Sequence, residues 1–116
     1  MRHLLMIGVL FAFAAAAGCA SSPALRTEPS ASAIRAAEEV GAADVPLAAL
    51  HLQLAREQVE RAESLAAEGK QDEAASQLLR AEADAELALA LSHEEAERSA
   101  AAKAIERVLL LQQNNR

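Results

Sequence analysis

The sequence predicts an all-α fold, an elongated antiparallel helical hairpin or three-helix bundle with a long C-terminal helix, preceded by a signal peptide and a flexible tether. Three observations carry this expectation. Small and apolar residues recur in alternating three- and four-residue steps on either side of Gly69, which is the stepping of a coiled-coil seam. No proline or glycine interrupts residues 73–116. Phe11 and Phe13 are the only aromatic residues, so the rest of the chain must build its core from Leu, Val, Ile and a great deal of Ala. Alanine buries little area, and such a core depends on close backbone approach and helix propensity.

The elements follow in order. Arg2 and His3 form a short basic start, and Leu4 to Phe13 form an uncharged apolar run. Ala16-Ala17-Gly18 then leads directly into Cys19, the one cysteine of the chain. This is the layout of a bacterial secretory signal. Small-small-Gly-Cys is the lipobox pattern, in which the Cys19 thiol receives a diacylglyceryl group and cleavage falls before it. Three other readings compete. A membrane-spanning anchor is disfavoured because an apolar stretch of about 14 residues falls short of the roughly 20 a spanning helix needs. An ordinary signal with an incidental cysteine is slightly favoured by Ala16 in place of the commoner leucine. A buried helix of the mature fold is opposed by the basic start and the Ser21-Ser22-Pro23 exit.

The division is therefore residues 1–18 as signal peptide, 19–30 as lipidated cysteine and tether, and 31–116 as an Ala-rich helical domain. The tether holds Pro23 and Pro29 among small polar residues and spans on the order of 35 Å if extended. Ser30 or Ser32 is placed to cap a first helix that runs to about Val40 and stops at Gly41. Ala42-Ala43-Asp44 makes a short connection, and Pro46 suits the opening turn of a second helix. That helix extends over residues 45–68, with Leu52, Ala55, Val59, Ala62 and Ala66 along its seam. Gly69 is a stop signal, Lys70-Gln71 form the turn, and Asp72 caps a third helix. Ala74, Leu78, Ala81, Ala85 and Ala88 continue the stepping. The third helix reaches about Gln112, about 60 Å at 1.5 Å per residue, and so outruns the second. Its excess carries Ile105, Val108, Leu109, Leu110 and Leu111, an interaction patch with no partner in the chain.

Charge and composition exclude several functions. After residue 18 there are seventeen acids against ten Lys and Arg, a net charge of −7. An acidic chain without a basic patch or stacking aromatics is a poor ligand for nucleic acid or anionic headgroups. With Cys19 committed to lipid, no thiol is left for disulfide, catalysis or a zinc–thiolate site.

The stretch Gly41-Ala42-Ala43, Pro46, Leu52, Ala55-Arg56, Val59, Ala62, Gly69, Ala74 and Ala81-Glu82-Ala83-Asp84-Ala85-Glu86-Leu87-Ala88 resembles a family of short Ala-rich helical lipoproteins of Gram-negative bacteria, built on a domain of unknown function. The resemblance covers roughly residues 31–100, and Val45 departs from it where an aromatic residue is expected before the proline. In some relatives the helical unit precedes a peptidoglycan-binding domain of the outer-membrane-protein-A type. No such domain follows here, so wall binding is not implied, and the family brings no catalytic residues.

Candidate chemistry is sparse. His93 and Glu97 share a helix face, but a zinc-protease helix needs a second histidine at that spacing. If Ala62 pairs with Leu78, His51 comes within about one turn of His93, and the two imidazoles with Glu97 become candidate ligands for a divalent ion. The competing reading is two exposed helix histidines. Glu57–Arg61 and Glu94–Arg98 are i,i+4 pairs in the favourable order, worth a few tenths of a kcal/mol each. No serine sits in a Gly-x-Ser-x-Gly elbow, and no glycine-rich phosphate loop exists. The turn at Gly69-Lys70-Gln71-Asp72 resembles that of a tetratricopeptide hairpin, yet that repeat requires bulky aromatics and at least three copies.

The expectation is a non-enzymatic envelope protein without cofactor or small-molecule substrate, held to a membrane by lipid, with a structural or interaction role. Its partner would be a second copy or another envelope protein. Ala20, where an inner-membrane retention signal would place Asp, points to the periplasmic face of the outer membrane in a Gram-negative cell. The ending Asn114-Asn115-Arg116 lacks the C-terminal lysine used for covalent wall attachment. The alternative is a small-ligand or divalent-metal module using His51 and His93.

Overall fold

Two left-handed glycines and one proline divide the helical region, and the computed structural model describes residues 24–115 of it. Three α-helices result: α1 (Glu28–Glu39), α2 (Pro46–Ala67) and α3 (Gln71–Asn114), with a short 3-10 turn at Ala42–Asp44 between the first two. The helix α3 has 44 residues, about 66 Å, against 22 residues, about 33 Å, for α2. The hairpin is therefore strongly unequal, and its longer limb projects beyond the body.

Each boundary has a local cause. The helix α1 begins at Glu28, earlier than the serines at 30 and 32, because Pro29 sits in the first turn where its missing N–H was unneeded. Ser30 is thereby inside the helix, buried, with its hydroxyl donating to the Thr27 carbonyl at 2.9 Å. Leu25 packs on the cluster of Ala62, Ala74 and Leu78. The expected tether over 19–30 is corrected accordingly: residues 24–30 belong to the folded body. Gly41, at φ +78°, ends α1 as its N–H bonds the Glu38 carbonyl at 3.0 Å. Val45 is extended, as a residue before proline prefers, and Pro46 opens α2.

At the far end of α2 the Gly69 N–H bonds the Ala66 carbonyl at 3.0 Å, and the Lys70 N–H bonds the Leu65 carbonyl at 2.9 Å. This pair of reverse bonds is a Schellman motif, which requires the left-handed φ of +80° found at Gly69. The third helix starts at Gln71, so Asp72 is not its cap. Asp72 and Glu73 lie instead in its first turn, where negative charge complements the helix dipole.

The seam is the expected one. Leu52, Ala55 and Ala62 of α2 and Ala74, Leu78, Ala81, Ala85 and Ala88 of α3 are buried, with Val59 and Ala66 half-buried beside them. Nine of the eleven buried apolar residues are alanine, so the helix axes must lie close for their side chains to touch at all. Apolar bulk gathers at the two ends of the seam. Ile34, Val45, Leu89 and Leu91 surround Ala37, Ala42, Ala48, Leu52 and Ala88 at one end. Leu25, Val59 and Leu65 surround Ala62, Ala74 and Leu78 at the other. The helix α1 runs alongside α3 from the second cluster to the first, parallel to α3 and antiparallel to α2, and Arg56 of α2 is ion-paired with Glu38 of α1.

Two substitutions test this architecture by thermal melting. Gly69→Val meets nothing within 4 Å of its new Cβ, so its expected cost is the left-handed backbone alone, about 1–2 kcal/mol. Ala85→Leu puts a larger side chain at a fully buried position of the seam and should cost about 1–3 kcal/mol through forced separation of α2 and α3. An Ala85→Leu chain that melts at or above the parent temperature would show that the helices are not in close contact there.

Candidate functional site

Between the two apolar clusters the helices are joined by a polar group of three. His51 on α2 lies with Nδ1 at 2.8 Å from Asp84 Oδ1 on α3. About two helical turns further along α2, Gln58 Nε2 donates to the other oxygen, Asp84 Oδ2, at 2.7 Å. The Asp84 carboxylate thus spans two positions on α2 that are seven residues apart. The His51 and Asp84 side chains keep about a fifth of their surface in solvent (22% and 21%), while Gln58 Oε1 is buried without a hydrogen-bond partner. Among the described residues no hydroxyl or thiol bonds His51, so the arrangement has an orienting carboxylate and an imidazole but no nucleophile. Its physical effect is to hold the register of the hairpin: sliding α3 by one residue turns Asp84 about 100° away from both partners.

The histidines expected to act together are kept apart. The register anticipated for the hairpin holds, since Ala62 and Leu78 share a cluster, as do Leu52 and Ala88. The difficulty is rotation about the axis rather than distance along it. His93 lies nine residues after Asp84, about 13.5 Å along α3 and half a turn round it, so it faces away from His51. His93 and Glu97 are exposed. Among the described residues no cluster of three or more His, Cys, Asp or Glu is placed to hold a metal ion. The pairing of His51 with His93 is therefore corrected to a pairing of His51 with Asp84.

Ion pairs elsewhere are on the surface. Arg98 reaches Glu94 at 2.6 Å and Glu95 at 3.4 Å. Glu57 is engaged by Gln53 Nε2 at 2.8 Å in place of Arg61. At the Gly69 turn, the hydrogen bond from Lys70 holds the Glu68 carboxyl below its ordinary pKa and raises that of Lys70. In full solvent such a pair adds little stability.

The most extensive unsatisfied surface is the projecting part of α3. Ser92 is its last buried residue, and residues 100–115 are all exposed. Ile105, Val108, Leu109, Leu110 and Leu111 present between 53% and 63% of their surface to solvent. Ala104, Ile105, Val108, Leu109 and Gln112 line a shallow apolar dent of about 270 Å³ on one side of this arm. At the opposite end of the body, an apolar trough of about 390 Å³ separates residues 24–30 from the first turns of α3, lined by Leu25, Pro29, Ala75, Leu78 and Leu79. Cys19 and the lipobox residues Ala16, Ala17 and Gly18 lie outside the described residues. Among the described residues no helix is long and apolar enough to cross a membrane.

Asp84 and Gln58 were not singled out from the sequence. The available signal was the register itself, which sets Asp84 opposite the stretch between His51 and Gln58. Comparison with protein families, with characterised proteins and with solved structures finds no match to this chain.

Removing the shared carboxylate should expose its role. Asp84→Ala leaves both His51 and Gln58 without their interhelical partner and should cost about 1–3 kcal/mol, lowering the melting temperature by about 4–8 °C per kcal/mol for a domain of this size. Circular dichroism melts of Asp84→Ala against Glu86→Ala, an exposed neighbour, provide the comparison. Equal melting of the two variants would remove the register-holding role.

Proposed function

We propose that the chain is a lipid-anchored cell-envelope protein with a structural or protein-interaction role and no catalysis, held at Cys19 and presenting the far end of α3 to a partner. In this reading it belongs with the short Ala-rich helical lipoproteins that it resembles, and Ala20 directs it to the periplasmic face of the outer membrane. The observation that carries the reading is the placement of the two ends. Residues 24–30 pack beside the Gly69 turn, while the exposed apolar arm leaves the body at the other extremity. Cys19 is five residues from Ala24, a reach of at most about 18 Å. An anchor there holds the turn end of the hairpin near the membrane and leaves the arm free to extend from it.

The energetics support an interaction role for the arm. Its five large side chains are already partly shielded by their own helix, and covering what remains exposed would gain roughly 1 kcal/mol each. In a body whose core is mostly alanine, that is a large fraction of the apolar area that can still be buried. Several acyl chains at about 0.8 kcal/mol per buried methylene would make the anchor effectively permanent.

The anchor is tested by metabolic labelling with a fatty-acid probe in a Gram-negative host. The parent chain should incorporate label and fractionate with the envelope, whereas Cys19→Ser should fall to background and accumulate as an uncleaved or soluble species. Undiminished labelling of Cys19→Ser would overturn the lipoprotein reading.

A further inference from the structure

The trough at the turn end differs from the other apolar surfaces of the chain, because part of its wall is the segment that leads back to Cys19. Ala24, Leu25 and Pro29 line it together with Ala75, Leu78 and Leu79 of α3. Leu78 is buried, but Leu79 is 68% exposed, more than any other large apolar residue among those described. The volume of about 390 Å³ falls within the range of about 300–1,000 Å³ in which small ligands are held.

The lining selects an apolar occupant. Arg26 and Asp72 also border the trough, but both are exposed and keep water on their charges. Among the described residues, the one buried side-chain polar atom without a hydrogen-bond partner is Gln58 Oε1, which lies outside the trough. What the walls lack is hydrocarbon over Leu79, Pro29 and Ala75.

The source of that hydrocarbon follows from connectivity. Ala24 is five residues after Cys19, so a chain attached at Cys19 starts within about 18 Å of the trough. A ligand on so short a link has an effective concentration in the millimolar range, which favours it over a free competitor. An acyl chain in a bilayer covers only itself, whereas in the trough it also covers the exposed walls. We propose that the trough lodges one acyl chain of the lipid on Cys19, laid between residues 24–30 and Leu79, while the remaining acyl hydrocarbon enters the membrane. This rests on the anchored reading above and deepens it: the attachment is held along the folded body, and the turn end is set against the membrane instead of swinging from a tether.

The test uses the full chain in a Gram-negative host fed a fatty-acid probe, with a photoreactive benzophenone amino acid in place of Leu79. On irradiation the excited ketone takes a hydrogen from a neighbouring acyl chain and the two carbon radicals combine. Tryptic digestion should then give the fragment of residues 71–80 joined through an acyl chain to the fragment of residues 19–26. Glu73 is exposed, outside the trough and about 120° away from Leu79 around α3. The same probe at Glu73 should give at least tenfold less of the joined product. Equal yields at the two positions, or a position-79 adduct mainly with phospholipid or with the Cys19 lipid of a second copy, seen as a dimer before digestion, would each overturn the proposal. A labelled Cys19 with no adduct at position 79 removes the lodging and leaves the anchored reading standing. A Cys19 that carries no label removes both.

Discussion

The close approach of α2 and α3 is the constraint on which the other features depend. Alanine at nine of eleven buried apolar positions leaves Leu52 and Leu78 as the only large side chains among them to fill a gap, so over the rest of the seam the helices hold together by close backbone approach. Two things then become necessary. Apolar bulk must be supplied from outside the seam, which is what Leu25 and Ile34 do from the segment laid alongside it. The register must also be set by something other than size, since one alanine fits a neighbouring alanine's place almost equally well. Asp84, bonded to His51 and to Gln58, provides that second constraint, because its two acceptor oxygens match only one alignment of the helices.

Unequal helix length then turns a hairpin into a body with an arm. The Schellman turn at Gly69 ends α2 and starts α3 within four residues, but no comparable signal ends α3 before Asn114. The body stops where α2 begins, level with Ser92, and the remainder of α3 keeps its helical form with little tertiary support. Good intrinsic helix formers such as Ala, Leu, Glu, Arg and Lys dominate that remainder, which is consistent with a helix that stands on propensity and local pairs such as Glu94–Arg98. Its five large apolar side chains are left more than half exposed by the single chain.

The end-to-end polarity of the molecule connects these points to the proposed role. The folded N-terminal strap and the hairpin turn share one extremity, while the exposed leucines occupy the other. A chain tied down near its strap would keep the turn close to the tie and project its apolar surface tens of ångströms away. A flexible tether through residue 30 would have blurred that polarity. The packing of Leu25 against the α2–α3 cluster makes it definite.

Much of this was written in the sequence, and the reason is physical. The three- and four-residue steps of Leu52, Ala55, Val59 and Ala62, and of Ala74 to Ala88, depend only on helical geometry. Gly69 and Pro46 act through their own backbone preferences, so the helices, the seam, the turn and the overlong third helix all follow from local chemistry. The tertiary structure decided what depends on rotation and on neighbours. Pro29 and Leu25 joined the fold rather than a tether because a ready apolar surface lay beside them. His51 turned to Asp84 and not to His93 because half a helical turn separates those two positions on α3. Periodicity reports which residues share a face; only the assembled helices determine which face meets which, and there the carboxylate of Asp84 was the nearer partner.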